Sequence, residues 1–290
     1  MSQGPPGAAP PLDSVPVPGD ADDTRARHFG ELARAPLTIG STMVLAIVAF
    51  IVLASQVSML AGVGGAIAAL LLMSVVVYAL ASSRAKADFF GAYAKRRGLA
   101  WSDARGRIPG YTPLLRKGDE RYTVLSLSGP LPGGIDGALS HYTYEEEYRD
   151  SEGDPQTTYY EFTLCITEVP EAAPYLHEVF VQRRAGFRFM DSAEDAFRER
   201  QRVEHESEEV DRRFEIFIAR DDEMNRARQL LSPTFLVWLA DHTPENFAFE
   251  LVSGTLVANV KGHQSSAIEL DSIAEATAAI AKRLRAEASE

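Results

Sequence analysis

Hydrophobic and polar positions along the 290-residue chain fall into three regimes. From residue 37 to residue 82 there is no Asp, Glu, Lys, Arg or His, a run of 46 residues that no soluble domain of ordinary composition contains. The polar tripeptide Gln56, Val57, Ser58 divides it into 37–55 and 59–81. At about 1.5 Å of rise per residue these give helices of roughly 28 and 34 Å, matched to a hydrocarbon core of roughly 30 Å. The spacing therefore predicts a two-helix transmembrane hairpin over 37–82. Pro36 stands where its missing N–H costs nothing, Arg84 and Lys86 close the second run, and Gly62, Gly64 and Gly65 favour a tight reversal after the break.

Beyond residue 82 the pattern is polar but periodic. Ala85, Phe89, Phe90, Ala92 and Tyr93 mark one face of a helix that stops at Gly98, either continuing the second span or lying at the membrane surface. Strands are predicted at 122–128, 138–149, 157–168, 178–182, 214–218, 247–252 and 255–260. The stretch from Gly129 to Gly137 reads as a loop, and the segments at 138–149 and 157–168 form a hairpin around the acidic turn 150–155. The charged stretch 191–212 reads as helix or ordered loop. Asp221 or Asp222 caps a helix through Leu231, which Ser232 and Pro233 restart as N-cap and first-turn proline. A terminal helix has acids at its start and Lys282, Arg283 and Arg285 near its end, with Ile273, Thr277, Ile280 and Leu284 on one face. Strands mixed with helices but not alternating with them predict α+β. The hairpins around 150–155 and Ser253–Gly254 are expected to supply the sheet edges, with the terminal helix on a sheet face.

Composition adds to this picture. Residues 1–36, with Pro5, Pro6, Pro10, Pro11, Pro16 and Pro18 among Gly, Ala and Asp, read as a disordered leader rather than a signal peptide. The organisation expected is thus leader 1–36, hairpin 37–82 and an α+β domain 83–290, the last divisible into 83–190 and 191–290. Residues 84–121 hold ten Lys/Arg against four Asp/Glu, whereas 122–290 hold 16 against 32. Basic flanks on both sides of an uncharged inter-span loop predict that both termini face the cytoplasm, and with only five lysines among 29 basic residues, a bias of high-GC bacterial genomes, the membrane expected is a bacterial plasma membrane. The acidic distal region argues against nucleic acid. Small-residue stripes through Gly62, Gly65, Ala66 and Ala69 suit close helix approach, either within the hairpin or in a homodimer. The spans carry no intramembrane charge, which disfavours a channel or transporter.

Phe214, Glu215, Ile216, Phe217, Asp221, Ala227, Arg228, Leu230, Leu231, Ser232, Pro233, Phe235, Phe249 and Leu256 together resemble the C-terminal part of an uncharacterised bacterial family. That resemblance implies two N-terminal spans and a cytosolic α+β domain of unknown function. It supplies caps and core positions but no catalytic residues.

Candidate chemistry is sparse. The six histidines, at 28, 141, 177, 205, 242 and 263, never take a close ligand spacing, and one cysteine cannot complete a structural zinc set, so no metal is expected. Cys165 reads as strand packing. The glycines at 129–137 lack both phosphate-loop patterns, so no cofactor is expected. Glu145, Glu146, Glu147, Asp150, Glu152 and Asp154 lack the ordered spacing of a calcium loop and read as a solvated acidic tip. With no catalytic, cofactor or metal residues to assign, the expected function is a membrane-anchored interaction or scaffold module, working with the lipid bilayer and a membrane or cytosolic protein. A ligand-binding or sensory module is the alternative, and an enzyme stands third.

Overall fold

The computed structural model describes residue 29 and residues 43–48, 51–52, 55, 59–183, 200–204, 208–244 and 246–289. Two compact units divide the chain between Arg96 and Arg97. The leader, apart from Phe29, most of the first predicted span, the tripeptide at 56–58 and much of 184–207 lie outside the described residues.

Helix α1 runs from Met59 to Arg97, all but its last residue in the first unit. At about 1.5 Å per residue its 39 residues span roughly 58 Å, far more than a bilayer core. The second predicted span and the helix after it are thus one element, since no proline interrupts the passage through Ser82, Ser83 and Arg84. Val63, Ile67, Leu71, Leu72 and Val75 are exposed along it, whereas Ala69, Val77 and Ala81 are buried. Among the described residues α1 is the one helix long and apolar enough to cross a membrane. Residues 43–48 and 51–52 are also helical, but a two-helix hairpin is not seen among the described residues.

The second unit is α+β, built on a nine-stranded antiparallel sheet. Its strands are β1 (Ala100–Ser102), β2 (Glu120–Leu131), β3 (Ile135–Arg149), β4 (Pro155–Glu168), β5 (Glu178–Arg183), β6 (Arg200–Arg202), β7 (Phe214–Ala219), β8 (Ala248–Val252) and β9 (Thr255–Lys261). Spatial order is β1-β2-β3-β4-β9-β8-β5-β7-β6. Strands from both sides of residue 190 therefore share one sheet. The helices are α2 (Glu208–Arg213), α3 (Met224–Leu230), α4 (Pro233–His242) and α5 (Ala267–Ala288).

Several expectations are corrected. Neither hairpin supplies an outermost strand of the sheet, because β4 pairs with β9 from Phe162 onward and β8 pairs with β5. The reason is burial on both faces: every residue from Thr255 to Val260 is buried, so β9 needs a neighbour on each side. The edges fall instead to β1 and β6, three residues each, and very short edge strands limit unwanted pairing. The expected loop at 129–137 is mostly strand, with only 132–134 as the turn. Gly137 is there for packing, since a Cβ would stand 2.5 Å from Leu131 Cδ1 and 2.6 Å from the Ile166 carbonyl. Asp222 does not cap α3, whose N-cap position is Glu223. The buried Asp222 carboxylate instead accepts the backbone N–H groups of His177 and Glu178 at the start of β5. Ser232 and Pro233 do open α4, but Ser232 makes no capping bond and its Oγ accepts from Arg283. The cap that does form belongs to α5, where Ser266 Oγ accepts from the Glu269 N–H.

The register gives the sheet two unlike faces. Trp101, Leu127, Leu139, Cys165, Ala258, Phe249, Val181 and Ile216 form one cross-strand row through eight strands. Helix α5 covers this side and buries Ile273, Thr277, Ile280 and Leu284, the face read from its periodicity. The opposite side holds Tyr142, Tyr144, Phe162, Leu164, Phe180, Phe217 and Val257 under Leu114 and Leu115 of a 3-10 turn.

Candidate functional site

The face under the 3-10 turn carries the most unusual chemistry. Glu250, in the middle of β8, is fully buried between Phe180 on β5 and Val257 on β9. Both carboxylate oxygens accept the Leu114 N–H at 3.2 Å. Burial pushes its pKa up to about 7, with the Thr112 hydroxyl, the Leu114 N–H and the charge of Arg200 acting in the opposite sense. One row away, Gln182 and Asn259 are buried on the same face, flanking Ala248 of β8. Gln182 Oε1 and Asn259 Nδ2 have no hydrogen-bond partner among the described residues. Arg200 closes this end, its guanidinium 4.1 Å from the Phe180 ring centre and 3.0 Å from Glu178.

A cleft of about 940 Å³ opens beside this turn, between the strand start of β2 and the segment before it. Arg105, Arg107 and Arg121 line it together with Asp119, Glu120 and Tyr122. Both carboxylates are engaged: Asp119 accepts the Glu147 N–H and Glu120 pairs with Arg105 at 2.8 Å. Arg105 also lies 3.7 Å over the Tyr122 ring. Arg121 donates to the Arg116 carbonyl, and Arg107 is exposed. Burial and a hydrogen bond to Glu145 push the Tyr122 phenol up to about 12. The cleft thus brings together three guanidinium groups and two carboxylates, with Arg105 and Arg121 engaged by protein partners and Arg107 exposed.

The histidines sort themselves in ways that spacing along the chain did not reveal. His141 and His263 stack in parallel, with ring centres 4.5 Å apart. His141 Nε2 is 2.9 Å from the Gln264 carbonyl, His263 Nε2 lies 3.4 Å from Thr143 Oγ1, and Glu161 is 3.9 Å from His263 Nδ1. Thr163 ties down the same connection, donating to the Gly262 carbonyl and accepting the Gln264 N–H. His177 Nδ1 is 2.8 Å from Asp222, and that hydrogen bond raises its pKa. His242 turns back to the Trp238 carbonyl and ring. His28 and His205 lie outside the described residues. No group of three potential metal donors occurs among the described residues.

Cys165 is fully buried in the dry row, and burial drives its thiol up to about 12, so it is a packing group. The acids at 145–154 lie where the hairpin was predicted, with Glu147, Glu152 and Asp154 exposed to solvent. Asp150 Oδ1 accepts the N–H groups of Glu152 and Asp154, and Oδ2 accepts from Gln156. These bonds hold the Asp150 carboxyl below its ordinary pKa. Sequence reasoning missed Glu250, Thr112 and the His141–His263 stack. The one available signal was an acid inside the otherwise apolar run from Phe247 to Leu251.

No family model matches the chain, and no curated protein matches it. Among solved structures it is similar to the crystal structure of the mycobacterial trehalose monomycolate transport factor A, TtfA, at 11% identity and a TM-score of 0.41, covering 67% of this chain and 91% of that one. At that distance the likeness transfers neither residues nor function.

Proposed function

We propose that the protein is a multi-pass membrane-anchored module of the bacterial plasma membrane that acts by binding rather than catalysis. In this reading residues 37–55 and 59–81 form a transmembrane hairpin, both termini are cytoplasmic, and residues 83–290 present an interaction domain to a membrane or cytosolic protein. The carrying observation is α1, most of whose aliphatic side chains from Val63 to Leu80 are exposed and which continues into a strongly basic stretch. Apolar side chains at that density are stable only against lipid or another apolar helix. The buried positions Ala69, Val77 and Ala81 on α1 suit a closely packed helix partner, which supports the hairpin over a homodimer.

Reporter fusions test the topology. A reporter active only after export stays silent when joined after Glu290 and is active when placed at Gln56. Export activity from the C-terminal fusion would remove the cytosolic-partner reading. A second reading, a ligand-binding module, is favoured by the arginine cleft, whose unoccupied guanidinium edges suit an anionic group. Isothermal titration with inorganic phosphate, comparing the parent with Arg107→Ala, tests it. Binding lost in the variant supports the second reading, and no binding by either protein removes it.

A further inference from the structure

The β3–β4 hairpin is longer than the sheet that holds it. From Phe162 onward β4 has β9 as its second neighbour, but residues 155–160 pair only with β3. The cause is local: β9 ends at Lys261, and the chain turns away at Gly262, where φ is +87°. The last bond between the two strands runs from the Gly262 N–H to the Glu161 carbonyl. It sets the parity of the edge, because backbone groups along an antiparallel strand point alternately to either side. Glu161 faces the β9 side, so Thr157 and Tyr159 present both N–H and C=O to that same side. Neither has a backbone partner there among the described residues. Both residues are exposed, and Tyr159 keeps 58% of its surface. Pro155, at the first position, is the sole strand breaker on this stretch.

The ribbon is also ordered and strongly charged. Asp150 braces the tip through the bonds described above, and Arg149 donates to the Gly153 carbonyl. Residues 145–161 contain seven carboxylates and one basic side chain, Arg149. Tyr122 and Tyr160 hydrogen-bond Glu145 and Glu146, while Glu147, Glu152 and Asp154 face solvent. A strand edge with open donors and acceptors is a template for one more strand. Here the charge decides which strand. A second copy would bring the same carboxylates edge to edge and be repelled, whereas a cationic strand is attracted.

We infer that the open edge of β4 at Thr157 and Tyr159 docks an extended, lysine- or arginine-rich peptide segment of a protein partner, which adds to the sheet where β9 leaves it. This names the partner class for the interaction module proposed above and rests on that reading. Its test is independent of the topology test, because it uses purified full-length protein in detergent micelles.

The probe is a synthetic peptide of about six residues, the usual strand length, alternating Lys with Val or Thr. Binding is read by fluorescence anisotropy. The unaltered protein should bind this peptide saturably, binding should weaken as salt rises, and the Glu-for-Lys counterpart should not bind. Thr157→Pro deletes one outward N–H but leaves the β3 side paired, a placement edge strands tolerate. It should weaken binding about tenfold, the effect of losing one well-made contact. Glu147→Lys together with Glu161→Lys should abolish binding. A peptide N-methylated at alternate positions tests the same point on unaltered protein and should also fail. Equal binding of the N-methylated peptide, or of Thr157→Pro with unchanged thermal unfolding, would overturn strand addition in favour of loose charge attraction. Concentration-dependent dimers lost in Thr157→Pro would overturn the choice of occupant in favour of a second copy. An absence of saturable binding, with the topology reporters behaving as expected, would sink this inference and leave the anchored reading standing.

Discussion

The two faces of the nine-stranded sheet differ more than their shared strands suggest. One presents an apolar cross-strand row from Trp101 to Ile216, with the amphipathic helix α5 packed over its β2, β3, β4 and β9 members. The other interleaves aromatic groups with Ser140, Asn259, Glu250 and Gln182, and a short 3-10 turn covers part of it. The first face is assembled for stability, since apolar area removed from water is worth about 25 cal/mol per Å² whatever the exact neighbours. The second contains buried polar groups whose cost depends on each partner, which makes it sensitive to pH and to single atoms. His141, Thr143, Thr163 and Thr167 are buried on the first face as well, but the buried carboxyl, Glu250, belongs to the second alone.

The strongest attack on this contrast is to put a charge into the dry face. Ile280 is 1% exposed on α5, so Ile280→Asp should cost about 4 kcal/mol or more, through an unpaired buried carboxylate. The cooperative unfolding transition of the full-length protein in micelles should be lost or moved far down. An unchanged melting temperature would mean that α5 does not seal this face.

On the polar face the same charge is already present, and pH should reveal it. Glu250 titrates near 7 in the folded protein but near 4.5 when unfolded. Between these values the folded state binds the extra proton, so stability is full below about pH 4.5 and falls as pH rises through 7, by about 3 kcal/mol. Glu250→Gln keeps an acceptor for the Leu114 N–H and removes the ionisation. It should leave stability near pH 5 unchanged, raise it at pH 8, and flatten the difference between the two. Urea titrations at both pH values decide this, and a variant that retains the parent slope would rule out Glu250 as its source.

A smaller change sharpens the same point. The Thr112 hydroxyl favours the ionised form of Glu250, so Thr112→Val should push the Glu250 pKa higher, and the loss of stability, which still begins near pH 4.5, should continue to higher pH and be larger. Urea midpoints compared between pH 6 and 8 measure the displacement, and no displacement would show that the hydroxyl does not act on the carboxylate. The smallest effect belongs to Cys165, which is fully buried in the dry row with its thiol held protonated. Iodoacetamide should leave the native protein unmodified over hours and react promptly after denaturation. Rapid native labelling, read by intact mass, would show that the apolar face opens.

Much of this molecule is legible along the chain, because hydrophobic periodicity reports directly which side of an element is covered. Residues 59–81 announce an apolar helix, Tyr142 to Tyr144 and Phe162 to Leu164 announce their strands, and the acids Glu269, Asp271 and Glu275 announce the start of α5. What periodicity does not contain is the identity of neighbours. Nothing in the segment from Thr255 to Val260 says that it inserts between β4 and β8, and that insertion keeps both hairpins from supplying the outermost strands. Glu250 likewise reads as an ordinary acid until Thr112 and Leu114, 138 and 136 positions earlier, close over it. His141 and His263 stack only because β9 turns away at Gly262 beside β3 and β4. That same turn leaves the β4 edge open. Local covalent and steric preferences settle the elements, whereas strand order and buried polar encounters depend on long-range pairing, which tertiary structure alone decides.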